Sequence, residues 1–209
     1  MSSVSEEVSS IKALVEACLR KLLKNYEKEE HKEAFLTESD VASSLFCMLK
    51  GEMEKRNIGE FAVHSGLRPY IEEKGLNLVI KAKDSLLGEW KKHEPKNSGS
   101  VVDIVLINRK PEYFEKAKDV SPKKYWRLVT YPLEAFKVCI EVKIRVPGNI
   151  KRIKKDIIKL RKIRETNRSC LVYLVVVDRK ASNRSKENIK KYCDENGVPL
   201  YIAFPPLKA

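Results

Sequence analysis

The segment "FKVCIEVKIRV", residues 136–146, has the pattern of a strand and decides the fold. Successive side chains of a strand point to opposite faces of its sheet. One of the two sets is wholly apolar and predicts a face packed into a core: Val138, Ile140, Val142 and Ile144. A strand with such a face is expected in the middle of a sheet rather than at its edge.

The other face of the same strand carries charge. Glu141 and Lys143 lie two residues apart and point the same way, together with Cys139 and Arg145. Isolated charges are costly to bury, and proteins keep them when they are paired or when they bind a metal ion. An acid and an amine side by side in an apolar strand therefore indicate a candidate functional site.

Apolar spacing and breaker residues on either side of this strand predict the remaining elements. Four helices are predicted, at residues 6–30, 38–56, 150–165 and 185–195, with Asn149 as a possible cap of the third. Strands are predicted at residues 60–67, 101–108, 136–146, 170–178 and 199–204, and residues 76–82 fit either a strand or a helix. Thr37 is the expected N-cap of the second helix. This order predicts an α/β sandwich with a mixed central sheet flanked by helices.

The chain, residues 1–209, is expected to form a single domain. Residues 1–36 are predicted to be an N-terminal helical appendage, and residues 109–135 an irregular insertion at the surface. Residues 94–100 have the Pro, Asn, Ser and Gly content of a loop. No apolar run approaches the roughly 20 residues of a membrane span, and the polar N-terminus does not resemble a signal peptide. A cytoplasmic protein without a membrane partner is expected.

Positive charge is concentrated in the second half of the chain. The formal net charge is +13, and residues 103–209 hold 26 Lys and Arg against 12 Asp and Glu. Such asymmetry is typical of proteins that bind a polyanion, most often nucleic acid. A Lys-rich solvated surface and binding to a membrane surface are the alternatives.

Two features of composition bear on metal and redox chemistry. The five cysteines lack the spacing of a zinc site. The chain has no Gln and many Lys, Glu, Ile and Val, a composition that leans towards a thermophilic source. Intracellular disulfides occur in such organisms, but the sequence does not indicate which thiols would pair.

A second charged strand residue completes a candidate catalytic constellation. Asp103 is the one charge in "VVDIVLIN", residues 101–108. If this strand neighbours the first, Asp103, Glu141 and Lys143 converge on one face of the sheet. Paired carboxylates favour Mg²⁺ or Mn²⁺, and a nearby ammonium can neutralise charge in a transition state. Phosphodiester hydrolysis uses these parts, whereas the structural alternative is a salt bridge at a strand end with Asp103 capping a turn.

At these residues the chain resembles the PD-(D/E)XK nuclease superfamily, which has a restriction-endonuclease-like αβββαβ core. "VVDIVLIN" is similar to the strand of the first motif Asp, and "CIEVKI" to the ExK strand. The likeness covers residues 60–178, and is nearest to archaeal Holliday-junction resolvases and related archaeal virus nucleases. It implies that Asp103, Glu141 and the Val142 carbonyl hold Mg²⁺, and that Lys143 positions or activates water. It also implies a homodimer.

The chain departs from the pattern of the superfamily at several points. Val102 replaces the Pro of the motif, and the insertion lengthens the span between the two acidic strands. Many members place a further acid on an N-terminal helix, for which Glu38, Asp40 and Glu52 are candidates. Glu38 is preferred because its helical spacing keeps it near the buried face.

The helix after the charged strand is expected to contact phosphates. Its basic residues surround an apolar stripe of Ile150, Ile153, Ile157 and Leu160, and Asp156 is the one acid before Glu165. The predicted DNA contacts on this helix are Lys151, Arg152, Lys154, Lys155 and Lys159, and a solvated helix face is the alternative. A further contact is predicted at Arg68.

The sequence leaves the roles of three other side chains undecided. His64 is either a site residue or a hydrogen-bonded strand histidine, and the second is preferred. Tyr125 and Trp126 lie in the basic part of the insertion, where they could stack on an unpaired base or pack onto the core.

The sequence thus predicts a Mg²⁺-dependent DNA endonuclease acting on branched or structured DNA. The alternatives are a non-catalytic DNA-binding protein on the same fold and a ribonuclease or exonuclease of the same superfamily.

Overall fold

The computed structural model describes residues 2–27, 37–73, 76–81, 89–92, 101–116, 118–119, 129–144, 150–178 and 182–203. The helices within these residues are α1 Ser2–Glu27, α2 Glu38–Lys55, α3 Pro111–Glu115, α4 Ile150–Thr166 and α5 Asn183–Glu195. The strands are β1 Phe61–Glu73, β2 Leu76–Lys81, β3 Glu89–Lys92, β4 Val102–Asn108, β5 Lys118–Asp119, β6 Val129–Pro132, β7 Phe136–Ile144, β8 Leu171–Val177 and β9 Leu200–Ala203. None of the described helices is long and apolar enough to span a bilayer.

The central sheet is mixed and has the order β1-β4-β7-β8-β9. β4 runs antiparallel to both β1 and β7, whereas β7, β8 and β9 run parallel to one another. The C-terminal part of β1, beyond its pairing with β4, pairs with β2 and with β6. The predicted α/β class, with a mixed sheet flanked by helices, is confirmed. Of the predicted segment 76–82, the described residues Leu76–Lys81 form a strand rather than a helix.

One face of the central sheet is covered by α1 and α2. Both helices contribute fully buried side chains to a core with β4, β7 and β8: Leu14, Val15, Leu19, Leu22, Val41, Leu45 and Leu49. The prediction that residues 1–36 form an appendage is therefore wrong for the described part of this segment, because α1 provides part of the main core. Residues 28–36 lie outside the described chain.

The opposite face of the sheet is covered by α4 and α5. Its core joins side chains from both helices to β4, β7 and β8: Val105, Cys139, Ile153, Ile157, Leu160, Ile163, Val172, Leu174 and Ile189. Because helices cover both faces, β7 and β8 are apolar on both sides along most of their length. A charged side chain on either face of β7 is therefore enclosed within the protein.

A capping box fixes the start of α2 and confirms the predicted N-cap. The Thr37 hydroxyl accepts a hydrogen bond from the Asp40 amide at 3.2 Å, and the Asp40 carboxylate accepts one from the Thr37 amide at 2.7 Å. This reciprocal pair satisfies two backbone donors of the first turn. The cap fixes Glu38, the first residue of the helix, close to the end of β7 that carries Lys143.

The predicted irregular insertion is partly wrong. Within residues 109–135, α3, β5 and β6 are regular elements, and β6 pairs in parallel with β1. A 3-10 helix, Leu133–Ala135, then buries Leu133 and Ala135 in the core next to α4. Three predicted features lie outside the described residues: the loop at 94–100, the aromatic pair Tyr125 and Trp126, and Arg145.

The five cysteines are free thiols, and four of them are buried. Cys139 on β7 and Cys170, immediately before β8, approach to 3.7 Å between sulfur atoms without a covalent bond. Cys47 on α2 is the exposed one.

Candidate active site

Adjacent strands bring Asp103, Glu141 and Lys143 together, as the sequence predicts. The pairing of Ile104 with Ile140 sets the register of β4 on β7 and places Asp103 next to the charged face. Lys143 Nζ lies 3.4 Å from Asp103 Oδ2 and 3.5 Å from Glu141 Oε2. The alternative in which Asp103 caps a distant turn is therefore wrong.

The Lys143 ammonium lies at the centre of a larger oxygen cluster. Two more carboxylates approach it, Glu38 Oε2 at 3.8 Å and Asp156 Oδ2 at 3.4 Å. It also donates a hydrogen bond to the Val142 carbonyl at 2.7 Å. The side chain of Lys143 is 3% exposed, so desolvation makes these contacts stronger than those of a surface pair.

Lys159 is a second buried cation of the cluster, and its predicted role in DNA contact is wrong. Its ammonium lies 2.6 Å from Glu141 Oε1 and 3.2 Å from Asp156 Oδ1, and it donates to the Val101 carbonyl at 2.7 Å. Its side chain is 4% exposed. A residue so enclosed does not reach a phosphate; it compensates the charge of Glu141 instead.

Burial and mutual repulsion shift the ionisation of these groups. Burial raises the pKa of the Glu141 carboxyl; Lys159 lowers it, and the neighbouring carboxylates raise it further. Burial alone would lower the pKa of Lys143, but the surrounding carboxylates outweigh burial and raise it. The pKa of Lys159 is raised for the same reason. Both lysines are therefore held as cations, and Glu141 is the acid that depends most on them.

Asp103 is the part of the cluster that faces solvent. Its Oδ2 accepts a hydrogen bond from the Val142 amide at 2.8 Å, and its side chain is 33% exposed. In the β1–β4 pairing, Gly66 lies opposite Asp103, between Ser65 and Leu67. Gly66 has a φ of 70°, a left-handed conformation that favours glycine. Gly66 and Asp103 line the same cavity.

Among the three acids considered on the N-terminal helix, Glu38 is the one that joins the cluster. Asp40 belongs to the capping box. Glu52 pairs with Lys55 at 3.1 Å on the exposed side of the helix. The preference for Glu38 therefore agrees with its position, and its catalytic role stays a prediction.

The predicted metal ligands are close together but are turned towards a lysine. In the described part of the chain, no group of three or more His, Cys, Asp or Glu side chains is placed to hold a metal ion. Instead, Asp103, Glu141 and the Val142 carbonyl all face the Lys143 ammonium. The donors themselves are oxygens, which suit Mg²⁺ or Mn²⁺. In this arrangement the Lys143 ammonium lies where a divalent cation would have to bind, so metal binding would require Lys143 to withdraw.

The exposed basic surface of α4 is smaller than predicted. Lys151, Arg152 and Lys155 are exposed near its start, and Lys154 lies 4.7 Å from the centre of the Tyr192 ring. The last basic residues are used inside the fold: Arg161 donates to Asn196 at 2.9 Å and Arg164 donates to the Gly197 carbonyl. Within the described chain, the most exposed cations of α4 therefore lie in its first two turns.

Two remaining predictions have different outcomes. The Arg68 backbone pairs with Thr130, but its side chain lies outside the described part of the structure. His64 is half-buried in β1, and its Nε2 has no hydrogen-bond partner among the described residues. The expected hydrogen-bonded strand histidine is therefore not observed.

Comparison with protein-family models, curated proteins and solved structures found no match to this chain. The functional interpretation consequently depends on the cluster itself, on its opening beside Asp103 and on the basic start of α4.

Proposed function

We propose that the chain is a divalent-metal-dependent deoxyribonuclease that hydrolyses phosphodiester bonds in branched or otherwise structured DNA. The observation that carries this proposal is the convergence of Asp103, Glu141 and Lys143 from adjacent central strands, inside an apolar frame. A cluster of this kind contributes little to stability that apolar side chains could not supply. Perturbed acids and amines grouped beside an opening are characteristic of catalytic sites.

In this proposal, Asp103, Glu141 and the Val142 carbonyl would hold Mg²⁺ or Mn²⁺. Such an ion, when bound, polarises a phosphate oxygen and lowers the pKa of a bound water. Lys143 would leave the centre of the cluster and orient the attacking water or neutralise charge that develops on the phosphate. Glu38 and Asp156 would keep that lysine protonated and close to the reaction centre.

Lys159 would act as a positioning residue. It holds one oxygen of Glu141 at 2.6 Å, which leaves the other oxygen 3.5 Å from Lys143. Burial raises the pKa of the Glu141 carboxyl, and the charge of Lys159 lowers it, which favours the carboxylate, a better ligand than a carboxylic acid.

DNA would lie across the start of α4. Lys151, Arg152 and Lys155 are exposed there, and Arg152 reaches to 3.9 Å from Glu38 of the cluster. A phosphate backbone held by these cations would pass beside the acids. Contacts of this type fix position without reading sequence, in agreement with a preference for DNA structure.

A non-catalytic DNA-binding protein is the second candidate, and one observation favours it. The Lys143 ammonium already occupies the centre of the oxygen cluster, and the four acids have ammonium partners without a metal ion. In that case the cluster would be a structural network, and the basic surface alone would carry the function.

The purified protein should be incubated with four-way, flapped, duplex and single-stranded DNA, and with single-stranded RNA, in Mg²⁺, in Mn²⁺ and in EDTA. We expect cleavage with either metal ion, none in EDTA, and binding in all three. Binding without cleavage under any divalent ion would favour the second candidate. Cleavage of RNA alone would exclude a deoxyribonuclease.

A further inference from the structure

A groove runs between α2 and β1 and opens onto the acid cluster. Two cavities form it, of about 510 Å³ and about 370 Å³. Both are lined by Phe46, so they meet at this side chain. The groove follows α2 from Glu38 to Glu54, about 24 Å along the helix axis.

The end of the groove nearest the cluster is polar and wide. Glu38 and Asp103 line this larger cavity, which therefore begins at the proposed reaction centre. Its walls carry small side chains, including Ser43 and Ser65, which can hydrogen-bond to a ligand. Gly66 also lines it, so the strand backbone is uncovered there.

The far end of the groove is aromatic and cationic. Phe46, Phe61, His64 and the exposed Arg109 line the smaller cavity. Phe114 stands at its rim with 41% of its surface exposed, and it is the one large hydrophobic side chain exposed in the described chain. Aromatic faces beside a cation are the two elements that hold single-stranded nucleic acid without sequence preference.

Glu54, the acid that lines the smaller cavity, does not neutralise the positive charge of Arg109. Glu54 contacts Lys50 at 4.0 Å, and both side chains are more than 60% exposed. An exposed pair of this length contributes little, and Arg109 remains as a cation beside the aromatic side chains. The charge of the far end therefore suits a phosphate, whereas the near end adjoins the acids of the proposed reaction centre.

We propose that this groove binds an unpaired segment of DNA, with a base stacked on Phe46 or Phe114 and its phosphate beside Arg109. The inference rests on the proposed function and makes it more specific, because it selects junctions and flaps that expose single-stranded DNA next to the cut. Each cavity has the volume of a small-ligand pocket, which admits a nucleotide and not a duplex.

Cys47 provides a direct probe of occupancy. It lines the larger cavity and is exposed, whereas the other four cysteines are buried. An oligothymidylate in EDTA should slow alkylation of Cys47 by N-ethylmaleimide, and a blunt duplex at matched saturation should not. Equal alkylation rates with and without bound oligothymidylate would overturn the inference. Stronger protection by an RNA oligonucleotide than by DNA would overturn the assignment to DNA.

Affinity measurements test the aromatic and cationic side chains. By fluorescence anisotropy in EDTA, Phe46→Leu should weaken oligothymidylate binding roughly tenfold, and Phe46→Trp should retain it, while duplex affinity stays unchanged. Arg109→Ala should also weaken binding, and Arg20→Ala on α1 is the matched control. Unchanged affinity in both groove variants, with metal-dependent cleavage intact, would overturn this inference and leave the proposed function standing. No binding to any DNA would overturn both.

Discussion

The two faces of β7 are both buried, but only one of them carries charge. On the side of α1 and α2, Val138, Ile140 and Val142 pack into an apolar core. On the side of α4, Cys139 is followed by Glu141 and Lys143, which are also almost fully buried. The same strand thus builds a core with one face and encloses an ionic cluster with the other.

The difference indicates which face is needed for folding and which for function. Apolar burial stabilises the fold directly, whereas replacing a buried ion pair with apolar side chains is often neutral or stabilising. A chain that gathers four acids and two lysines around the charged face of β7 therefore keeps them for a reason other than stability. The predictions below test the two faces against each other.

The largest effect on stability is expected on the charged face. Lys159→Met should lower the free energy of unfolding by about 3–5 kcal/mol, because it leaves Glu141 buried next to other carboxylates without its closest cation. Urea unfolding followed by circular dichroism measures this loss. The double variant Glu141→Gln with Lys159→Met should recover much of it; strictly additive losses would mean that the two side chains are not coupled.

A smaller loss is expected on the apolar face. Ile140→Ala should cost about 3 kcal/mol through lost burial and the cavity left behind, while the remaining folded protein keeps its cleavage rate. Ile144→Ala, half-buried at the end of the same face, should cost less. The same unfolding experiment together with an activity assay separates the faces, and a loss of cleavage in folded Ile140→Ala would contradict the division.

The basic start of α4 should control the salt dependence of DNA binding. Replacing Lys151 and Arg152 with alanine should reduce the slope of log affinity against log salt concentration by about 2. Lys21 and Lys24 on α1, on the other side of the sheet, are the matched control pair, and their replacement should leave the slope unchanged. Equal slopes for both double variants would remove α4 from the interface.

The smallest effect concerns His64. Burial lowers its pKa from the ordinary value of 6.5, and Arg109 adds to the shift. The unfolded chain therefore binds a proton more readily, so stability is complete above about pH 6.5 and falls as the pH decreases through that value. We expect a loss of less than about 1 kcal/mol between pH 7 and pH 5.5, absent in His64→Asn. Parallel curves for the two proteins would contradict this assignment.

The sequence was sufficient for the architecture and for the centre of the site. Strand alternation in residues 136–146 separates the two faces of β7 correctly, and the lone Asp103 in the next strand identifies its partner. These signals succeed because side-chain direction in a strand has a strict period of two, and because a charge inside an apolar run is rare.

Asp156 and Lys159 could not be assigned from the sequence with the same rule. On α4 they lie beside the apolar stripe, and Lys159 is four residues before the buried Ile163. A stripe drawn through Ile153, Ile157 and Leu160 alone leaves Lys159 on the solvated side. Including Ile163 widens the buried sector enough to enclose it. Whether a basic helix residue faces solvent or core depends on how deeply the helix packs, and local spacing does not report this.

The position of α1 also required tertiary information. Its apolar stripe fits a helix that packs on the main core as well as one that forms an appendage, since both bury one face. Side chains such as Leu14 and Leu19 find their partners on α2 and on the distant strands β7 and β8, and a single sequence does not specify such pairings.

Paired binding and cleavage measurements on Asp103→Asn test the central claim most directly. The substitution keeps an acceptor for the Val142 amide and removes the most exposed charge of the cluster, and the exposed Asp194→Asn on α5 is its control. We predict that Asp103→Asn loses at least about 100-fold in Mg²⁺-dependent cleavage and binds branched DNA with the affinity of the unmodified protein. Full cleavage by Asp103→Asn, or an equal loss of cleavage and binding, would contradict a nuclease centre at this cluster.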